Sequence, residues 1–386
     1  MDINDILTHL GEDRDLYFQS VAPPVIQTSN FVFSGIEDMR HKILDENHYH
    51  VYTRGNNPTV NILRKKIAAL EKTEDALVTG SGASAVAGAV MSFVEQGDHI
   101  ICVQKPYSWT YSLISQYLSK FGVAYDFVDG SNISDIKNVI RPNTKVLYLE
   151  SPNSLTFEIQ DLRACAELAK KNNIITIIDN SHCSPLYQNP AVFGIDLVVH
   201  SATKYLNGHS DVVAGVICGS KNHIEHIFKT SYMTLGLIIS PHDASMIIRG
   251  LRTLPLRLKQ SNDTAFYIAS KLEGHPKIQK VIHPLLPSFP QYTLANSQMA
   301  GAGGLTTIVL KTDSKQDVYS FVNALQHFLM AVSWGGYESL IIPSIVFHDM
   351  PGKPDSPIPW TYIRFYFGLE EADFLLNDIL QALDKM

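Results

Sequence analysis

The sequence predicts an α/β fold with a doubly wound, mostly parallel sheet, followed by a smaller α+β unit. Between residues 75 and 199, short apolar runs alternate with segments of helical periodicity, which is typical of parallel strands joined by helical crossovers. After about residue 235, strands and helices follow one another less regularly. A chain of 386 residues is long for one ordinary domain, and this agrees with a division into two.

We therefore expect an N-terminal arm over residues 1–57, a large α/β domain over 58–240 and a smaller α+β domain over 241–386. The arm contains Pro23 and Pro24 in a stretch without helical period, which favours an extended path. An arm of this kind either reaches a second subunit or packs on its own domain. The residues do not decide between these alternatives.

Apolar periodicity and the turn residues between the apolar runs predict the individual elements. In the large domain, strands are predicted over 75–79, 98–103, 124–128, 145–150, 174–178 and 195–199, and helices over 58–71, 85–94, 110–121, 133–140 and 161–171. In the smaller domain, strands are predicted over 305–310, 330–334 and 362–367, and helices over 241–258, 263–272, 316–325 and 373–383. The segment 276–290 is rich in proline and is predicted to be irregular.

Composition and charge exclude several classes of protein. The net charge of -7 argues against nucleic acid or an anionic membrane as a partner, because both select basic surfaces. No apolar run is long enough for a membrane span, and the acidic N-terminus does not resemble a signal peptide. The cysteines form no C-x-x-C pair, which favours reduced thiols in a cytoplasmic protein over disulfides or zinc. They are Cys102, Cys165, Cys183 and Cys218.

Polar residues follow several of the predicted strands directly, and ligands of such sheets bind beyond the carboxyl ends of the strands. These candidates are Gly80 to Ser84, Tyr107, Asn153, Asp179 and Ser201 to Lys204. The small residues at Gly80 to Ser84 suit an anion site at a helix N-terminus, although any tight strand-to-helix turn favours the same residues. The expected convergence of all these candidates on one edge of the sheet is more informative than any single candidate.

Lys204 and Asp179 are charged residues at the ends of apolar strands. Lys204 is either an ordinary surface lysine or a desolvated amine of the kind that Schiff-base chemistry requires. Asp179 is either a turn residue or an anionic partner for a protonated ring nitrogen. A lysine, an aspartate and a nearby phosphate cup are the parts that a pyridoxal phosphate site needs.

Longer motifs carry a resemblance to a known family. The segment 179–219, and SATKYLNGHSDVVAG within it above all, resembles the signature of the Cys/Met-metabolism enzymes that use pyridoxal 5'-phosphate. The resemblance covers nearly the whole chain and includes YTRGNNPT, GSGASAV, EQGDHI, LESPNS, RGLRTLPLRLKQ, SWGGYESL and IRFYFGLE. It implies the fold type I architecture of pyridoxal-phosphate transferases. SWGGYESL and SPNS are most similar to bacterial cystathionine β-lyases, whereas many γ-acting relatives carry leucine where Trp334 stands.

The resemblance also implies roles for individual residues. Lys204 would form the Schiff base, Asp179 would pair with the pyridinium nitrogen, and Tyr107 would stack on the ring and assist proton transfer. The residues implied for the phosphate are the Gly82 and Ala83 backbone, Ser201 and Thr203, with Tyr52 and Arg54 from the neighbouring subunit. Asn153 is expected near the ring hydroxyl. Arg364 is expected to bind the substrate carboxylate, with Ser333 and Trp334 beside it.

The implied activity is cleavage of cystathionine, or of a related cysteine conjugate, to homocysteine or another thiol, pyruvate and ammonia. Such an enzyme would serve methionine biosynthesis and transsulfuration as a cytoplasmic homotetramer of two dimers, without a metal. The alternatives are a γ-acting relative (cystathionine γ-synthase, methionine γ-lyase or a homoserine sulfhydrylase), a non-catalytic regulator and a structural protein. Loss of Lys204, Tyr107 or Arg364 would favour the regulator, and all are present.

Two positions depart from the family pattern. His182 stands where a bulky aromatic residue is common, and a packing role is favoured over a catalytic one. Trp109 stands where a small residue is usual, and either reshapes the distal substrate pocket or packs as a core aromatic. His200 and His209 flank the lysine motif, but their spacing to other ligand types does not indicate a metal site.

Overall fold

The computed structural model describes residues 1–352 and 355–386. The chain divides into two compact units. The large unit comprises Met1–Ser151, Gln160–Asn207 and Asp211–Thr253, and the small unit comprises Pro152–Ile159, Gly208–Ser210 and Leu254–Met386.

A seven-stranded sheet forms the centre of the large unit. Its strands are β1 (Asp75–Thr79), β2 (His99–Val103), β3 (Ala124–Val128), β4 (Thr144–Glu150), β5 (Ile175–Asp179), β6 (Leu197–Ser201) and β7 (Gly215–Gly219). Their order is β1-β7-β6-β5-β4-β2-β3. All neighbouring strands from β6 to β3 pair in parallel, whereas β7 is antiparallel to both β1 and β6. The predicted α/β class with a mostly parallel sheet is confirmed.

The strand β7 was not predicted from the sequence, although it separates β1 from β6. It begins at Gly215, where a side chain would be excluded. A Cβ atom there would lie 2.1 Å from the carbonyl oxygen of Ser81, so the backbone of β7 and the turn after β1 pack against each other directly. The antiparallel insertion therefore depends on a glycine, which a search for apolar runs overlooks.

Helices cover the sheet of the large unit. They are α1 (Ile3–Thr8), α2 (Ile36–Ile43), α3 (Pro58–Leu70), α4 (Gly82–Met91), α5 (Ser108–Ser112), α6 (Ile133–Asn138), α7 (Leu162–Lys171), α8 (Ser184–Tyr187), α9 (Lys221–Ile227), α10 (Met233–Leu235) and the start of α11 (Pro241–Leu272). Side-chain caps fix several of their first residues: Asn57 caps α3, with Pro58 at its first position, and Asp161 caps α7. The predicted helix over 110–121 is irregular, because α5 continues as a π-helical turn (Leu113–Tyr117) and a 3-10 turn (Leu118–Phe121).

The arm predicted over residues 1–57 is not extended throughout. Ile6 and Leu7 of α1 are buried. The Nζ of the buried Lys66 donates hydrogen bonds to their carbonyl oxygens at 2.9 and 3.1 Å. The start of the arm therefore packs on its own unit, whereas the stretch from Val21 to Phe33 contains no regular helix or strand beyond one bridge between Asn30 and Tyr52.

The small unit has a second, five-stranded sheet. Its strands are β8 (Ile278–Ile282), β9 (Leu305–Leu310), β10 (Leu329–Met330), β11 (Leu340–Pro343) and β12 (Tyr362–Tyr366), in the order β10-β11-β12-β9-β8. Its helices are α12 (Tyr292–Gln298), α13 (Lys315–Ala324), α14 (Ala372–Leu383) and the residues of α11 from Leu254 onward. Helices and strands enclose one apolar core that includes Phe321, Phe365 and Ile379.

Several predictions for this unit are wrong in detail. The segment predicted to be irregular contains β8, and β11 was not predicted. Of the strand predicted over 330–334, only Met330 lies in a strand, β10, and Ser333 has a φ of 81°, outside the β region. The two helices predicted over 241–258 and 263–272 form the single helix α11, which continues through Pro255.

Within the described residues, no helix has the length and apolarity to cross a membrane.

Candidate active site

The carboxyl ends of β4, β5 and β6 bring charged residues to one edge of the large sheet. Glu150 lies opposite Asp179 in the ladder between β4 and β5, and Asp179 lies opposite Val199 in the next ladder. Lys204 follows β6 after a tight turn, in which its backbone N–H donates to the carbonyl oxygen of Ser201 at 3.1 Å. The topology therefore places Asp179 and the start of the lysine turn at the ends of adjacent parallel strands, as predicted.

Asp179 is partly buried, and its surroundings connect it to the next strand. Its Oδ1 accepts a hydrogen bond from the backbone N–H of Ser181 at 2.9 Å. The hydroxyl of Ser181 in turn accepts from the backbone N–H of Ser201 at 2.7 Å. The carboxylate and the end of β6 are thus held in register by one serine.

The segment around Lys204 combines a partly buried amine with apolar neighbours. Tyr205 and Leu206, which follow it directly, are buried, and Lys204 itself is intermediate in exposure. Thr203 exchanges hydrogen bonds with the backbone of Ala214: its hydroxyl donates to the carbonyl at 3.2 Å and accepts from the N–H at 3.0 Å. These contacts fix the turn that carries the lysine.

The N-terminus of α4 forms an anion cup beside Ser201. Ser81 and Ser84 form a reciprocal capping box at the start of the helix. A Cβ atom on Gly82 would lie 2.8 Å from the Cβ of Ser201, so only glycine permits this approach. The first N–H groups of a helix have no intrahelical partners, and together with the helix dipole they favour a phosphate. Gly82 therefore lies beside Ser201, and the roles of Gly82, Ala83 and Ser201 toward a phosphate stay a prediction.

Tyr107 lies at the start of α5, and 45% of it is exposed. Its backbone N–H donates to Oε2 of Glu150 at 2.7 Å. Burial, and then the negative charge of Asp179, raise the pKa of the Tyr107 hydroxyl above its usual value. Glu150 was not predicted as a site residue, although the signal was available, because it is a carboxylate at the end of a buried strand just as Asp179 is.

Tyr52 and Arg54 lie on the exposed surface of the large unit. The guanidinium of Arg54 lies 5.4 Å from the centroid of the Tyr52 ring. Asn57 anchors the segment by donating to the carbonyl of Ile26 at 2.9 Å and to the hydroxyl of Thr53 at 3.1 Å. The pair is thus presented outward by a fixed loop, and its role toward a neighbouring subunit stays a prediction.

The small unit carries the residues expected to bind the substrate. Arg364 of β12 donates from Nη1 to the carbonyl of Ser154 and from Nη2 to the carbonyl of Ser333, both at 3.2 Å. Burial lowers the pKa of Arg364 to about 10, so the guanidinium remains charged at neutral pH. Among the described residues, no carboxylate forms an ion pair with it. Trp334, which follows Ser333, is only 7% exposed.

Asn153 belongs to the small unit, and its side chain closes a local turn. Its Oδ1 accepts from the backbone N–H groups of Leu155, Thr156 and Phe157 at 2.9 to 3.2 Å. Its Nδ2 donates to Thr156 and Glu158. The structure thus gives Asn153 a structural role in this turn, and its expected position near a ring hydroxyl stays a prediction.

His182 and the cysteines lie in the interior. His182 is 4% exposed and Cys183 is fully buried. Burial raises the pKa values of all four thiols, to about 12 for Cys165. Trp109, in contrast, is exposed, so it is not a core aromatic within this chain. No cluster of His, Cys, Asp and Glu suited to a metal ion occurs in the part of the chain that the structure describes.

Comparison with known proteins assigns the family. The model of the family described as "Cys/Met metabolism PLP-dependent enzyme" matches residues 5–384. The chain belongs to this family. The L-methionine gamma-lyase of Pseudomonas deceptionensis is 38% identical over 373 residues, which cover 95% of this chain and 93% of that protein. The cystathionine beta-lyase of Lactococcus lactis subsp. cremoris is 34% identical over 381 residues, which cover 98% of this chain and 97% of that protein.

A further relative, the L-methionine gamma-lyase of Fusobacterium nucleatum subsp. nucleatum, is 35% identical over 384 residues and covers 98% of this chain. The family membership identifies this protein as a pyridoxal-phosphate-dependent lyase of sulfur amino-acid metabolism, as the motifs predicted. The relatives carry both β-lyase and γ-lyase names, so the specific activity is not decided by them. The site fits the cofactor, because the glycine-lined cup at α4 suits its phosphate and Asp179 lies at the adjoining strand ends.

Proposed function

We propose that this enzyme is a carbon–sulfur β-lyase that cleaves L-cystathionine, or a related cysteine S-conjugate, to a thiol, pyruvate and ammonia. One observation carries the proposal: Asp179, the turn of Lys204 and the phosphate cup converge on one edge of the large sheet. The choice of β over γ chemistry rests on Trp334, where many γ-acting relatives have leucine. The four cysteines are buried and form no disulfide, which favours a reducing compartment such as the cytoplasm.

The cofactor site is proposed to consist of residues with distinct tasks. The residues proposed to hold the cofactor are Tyr52, Arg54, Gly82, Ala83, Tyr107, Asn153, Asp179, Ser201, Thr203 and Lys204. When bound, pyridoxal phosphate withdraws electrons from the substrate α-carbon. Asp179 supplies the negative charge that keeps the ring nitrogen protonated. Lys204 takes the proton from the α-carbon and returns it to the departing sulfur; its backbone turn directly after β6 supports this role.

Tyr107 is proposed to stack on the ring and to act in its protonated form. Because burial and Asp179 raise its pKa, the hydroxyl is a hydrogen-bond donor at neutral pH rather than a base. Glu150 holds its backbone. The contact with Glu150 thus positions Tyr107 through its backbone and leaves its hydroxyl available for a hydrogen bond.

Arg364 is proposed to bind the substrate α-carboxylate. A guanidinium has five N–H donors, and here Nη1 and Nη2 each give one to a backbone carbonyl. These bonds fix the plane of the group and leave further N–H groups for a carboxylate, which it binds in a bidentate manner. Ser333 and Trp334 are proposed to shape the adjoining part of the substrate pocket.

We further propose that Tyr52 and Arg54 complete the phosphate site of a neighbouring subunit in a homotetramer of two dimers. Their outward presentation on an anchored loop supports this. Inactive Arg54→Ala subunits mixed with inactive Lys204→Ala subunits should regain activity, because hybrid dimers contain one intact site. If the mixture stays inactive although mass spectrometry shows hybrids, the shared site is wrong.

The second candidate is γ-elimination, because relatives named L-methionine gamma-lyase align over nearly the whole chain. Purified enzyme given L-cystathionine and, separately, L-methionine distinguishes the two. Pyruvate with homocysteine from cystathionine supports the β-lyase. 2-Oxobutyrate from either substrate, with cysteine or methanethiol, would replace it with the γ-acting alternative. Lys204→Ala is the control, and should give no product from either substrate.

A further inference from the structure

Behind the cofactor edge of the large sheet lies a buried carboxylate that the proposed reaction does not use. Glu71 follows the last residue of α3, and its side chain is 0% exposed. Its Oε1 accepts hydrogen bonds from Nε2 of His200 and, at 2.9 Å, from Nδ2 of Asn180. Both donors are distant in sequence, 129 and 109 residues away.

The two donors are the immediate neighbours of the cofactor residues. Asn180 follows Asp179, the last residue of β5, and His200 precedes Ser201, the last residue of β6. Asn180 is also joined to β6 directly, since its backbone N–H donates to the carbonyl of Val199 at 2.9 Å. Glu71 thus connects the two strand ends from the side of the sheet on which α3 lies.

The side chain of Asn180 is held firmly in this arrangement. Besides the bond to Glu71, its Nδ2 donates to the carbonyl of Gln188 at 2.8 Å, and its Oδ1 accepts from Nε2 of Gln188 at 3.1 Å. Gln188 donates further to the carbonyl of Ser151 at 2.8 Å. Oε2 of Glu71 and Oε1 of Gln188 have no hydrogen-bond partner among the described residues. A displacement of Asn180 would break its bonds to both residues and leave further buried polar groups unsatisfied, which favours the observed geometry.

Burying the carboxylate of Glu71 costs free energy of folding unless polar groups of the protein replace its contacts with water. Removing a carboxylate from water is unfavourable by several kcal/mol, and Oε1 of Glu71 is hydrogen-bonded to the buried His200. A buried carboxylate retained at such a cost, and hydrogen-bonded to the neighbours of Asp179 and Ser201, suits positional control of the site better than stability alone.

We propose that Glu71 is a positioning residue for the cofactor: through Asn180 and His200 it sets the placement of Asp179, which pairs with the ring nitrogen, relative to Ser201, which binds the phosphate. This rests on the proposed roles of Asp179 and Ser201. The two ends of the cofactor are bound by adjacent strands, so a small shift between these strands weakens both contacts together.

The test uses binding of pyridoxal 5'-phosphate to the full-length protein and its visible circular dichroism, which reports the orientation of the bound ring. Glu71→Gln keeps an acceptor but removes the charge, and Glu71→Ala removes both. We expect the cofactor Kd to rise at least about tenfold in Glu71→Gln and further in Glu71→Ala, with a changed visible circular dichroism. His200→Gln keeps an N–H donor and should retain tighter binding than His200→Ala.

Glu12→Gln is the matched control. Glu12 is another fully buried carboxylate of the large unit, paired with the buried Lys66 at 3.1 Å. This variant should lower Tm and leave both the cofactor Kd and the visible circular dichroism unchanged. If Glu71→Gln lowers Tm in the same way but leaves Kd and the spectrum unchanged, Glu71 is structural only and the proposal is wrong. If Glu12→Gln raises Kd equally, the effect is general destabilisation and the proposal also fails.

Should Glu71→Gln not fold, the same comparison is made between His200→Gln and His200→Ala, and equal cofactor binding in these two would overturn the proposal. Failure of the proposed function gives a different result. A wild-type protein that binds the cofactor but cleaves no cystathionine refutes the β-lyase, while the binding measurements on Glu71 remain valid.

Discussion

The backbone N–H of Tyr107 donates a hydrogen bond of 2.7 Å to the carboxylate of Glu150. Glu150 ends β4 beside Asp179 of β5, so the proposed ring-stacking residue is tied to the strand next to the one that carries the proposed partner of the ring nitrogen. The start of α5 has no side-chain cap, so the bond from the Tyr107 N–H to Glu150 is its side-chain anchor to β4.

Replacing Glu150 should therefore impair activity without removing any proposed catalytic group. Glu150→Ala leaves the Tyr107 N–H without its acceptor, and we expect kcat/KM to fall roughly tenfold or more, since such bonds contribute about 1.5–3 kcal/mol. Glu150→Gln keeps a carbonyl acceptor and should retain most of the activity. Steady-state kinetics of both variants check this, and equal losses would indicate that the charge, not the bond, matters.

Arg364→Lys should weaken substrate binding. The ammonium of lysine cannot reproduce two bonds to the carbonyls of Ser154 and Ser333 together with a bidentate bond to a carboxylate. We expect KM to rise about 10- to 100-fold, with a smaller change in kcat. Arg163→Lys, at an exposed position of α7, is the control and should leave KM unchanged. A normal KM in Arg364→Lys would refute the carboxylate role.

Gly82→Ala should lower cofactor affinity, because the added Cβ would lie 2.8 Å from the Cβ of Ser201. The start of α4 must then move away from the end of β6, and the phosphate cup widens. We expect the Kd for pyridoxal 5'-phosphate to rise at least about tenfold, measured by titrating cofactor-free protein. Gly35→Ala, where an added Cβ meets nothing within 4 Å, should leave the Kd unchanged.

The pKa of Tyr107 gives a prediction with a definite sign. Burial and the Asp179 charge raise it, so the protonated hydroxyl is favoured in the folded protein. The resulting stabilisation is fully present below the ordinary tyrosine pKa of about 10 and is lost as the pH rises through the folded value. A difference titration at the tyrosinate absorbance band, between cofactor-free wild type and Tyr107→Phe, should give a midpoint above the ordinary value. Asp179→Asn should lower that midpoint, and an unchanged midpoint would exclude an effect of Asp179.

Much of the large sheet could be predicted because its strands are apolar runs bounded by turns. The bounds of β1 and β3 agree with the prediction, and the structure places the candidate residues Asp179 and Ser201 at the ends of β5 and β6. The strand β7 was missed because what specifies it is close backbone packing at Gly215, which leaves no periodic pattern. In the small unit, β11 was missed because it has only four residues, too few to show a period.

The residues that position the site could not be predicted from the sequence. Glu71 and Asn180 are ordinary polar residues in their local segments, and only the fold brings them within 2.9 Å. Asn153 shows why a strand-end position alone does not assign a role. Its place after a strand suggested a ligand role, which stays a prediction, and in the structure its Oδ1 accepts hydrogen bonds from backbone N–H groups of the following turn. Strand-end position thus identifies an edge of the sheet, but not which side chains face it.

The cysteines give a last prediction, on the native state as a whole. Cys102, Cys165, Cys183 and Cys218 are free and buried, and burial raises the pKa of each thiol. Because the thiolate is the reactive form, a disulfide reagent such as DTNB at pH 8 should modify none of them while the protein is folded, and all four in denaturant. Activity should be retained throughout the native incubation. Fast modification of one thiol in the folded protein, with loss of activity, would contradict this prediction and show that a buried cysteine such as Cys183, next to His182, becomes exposed in the native state.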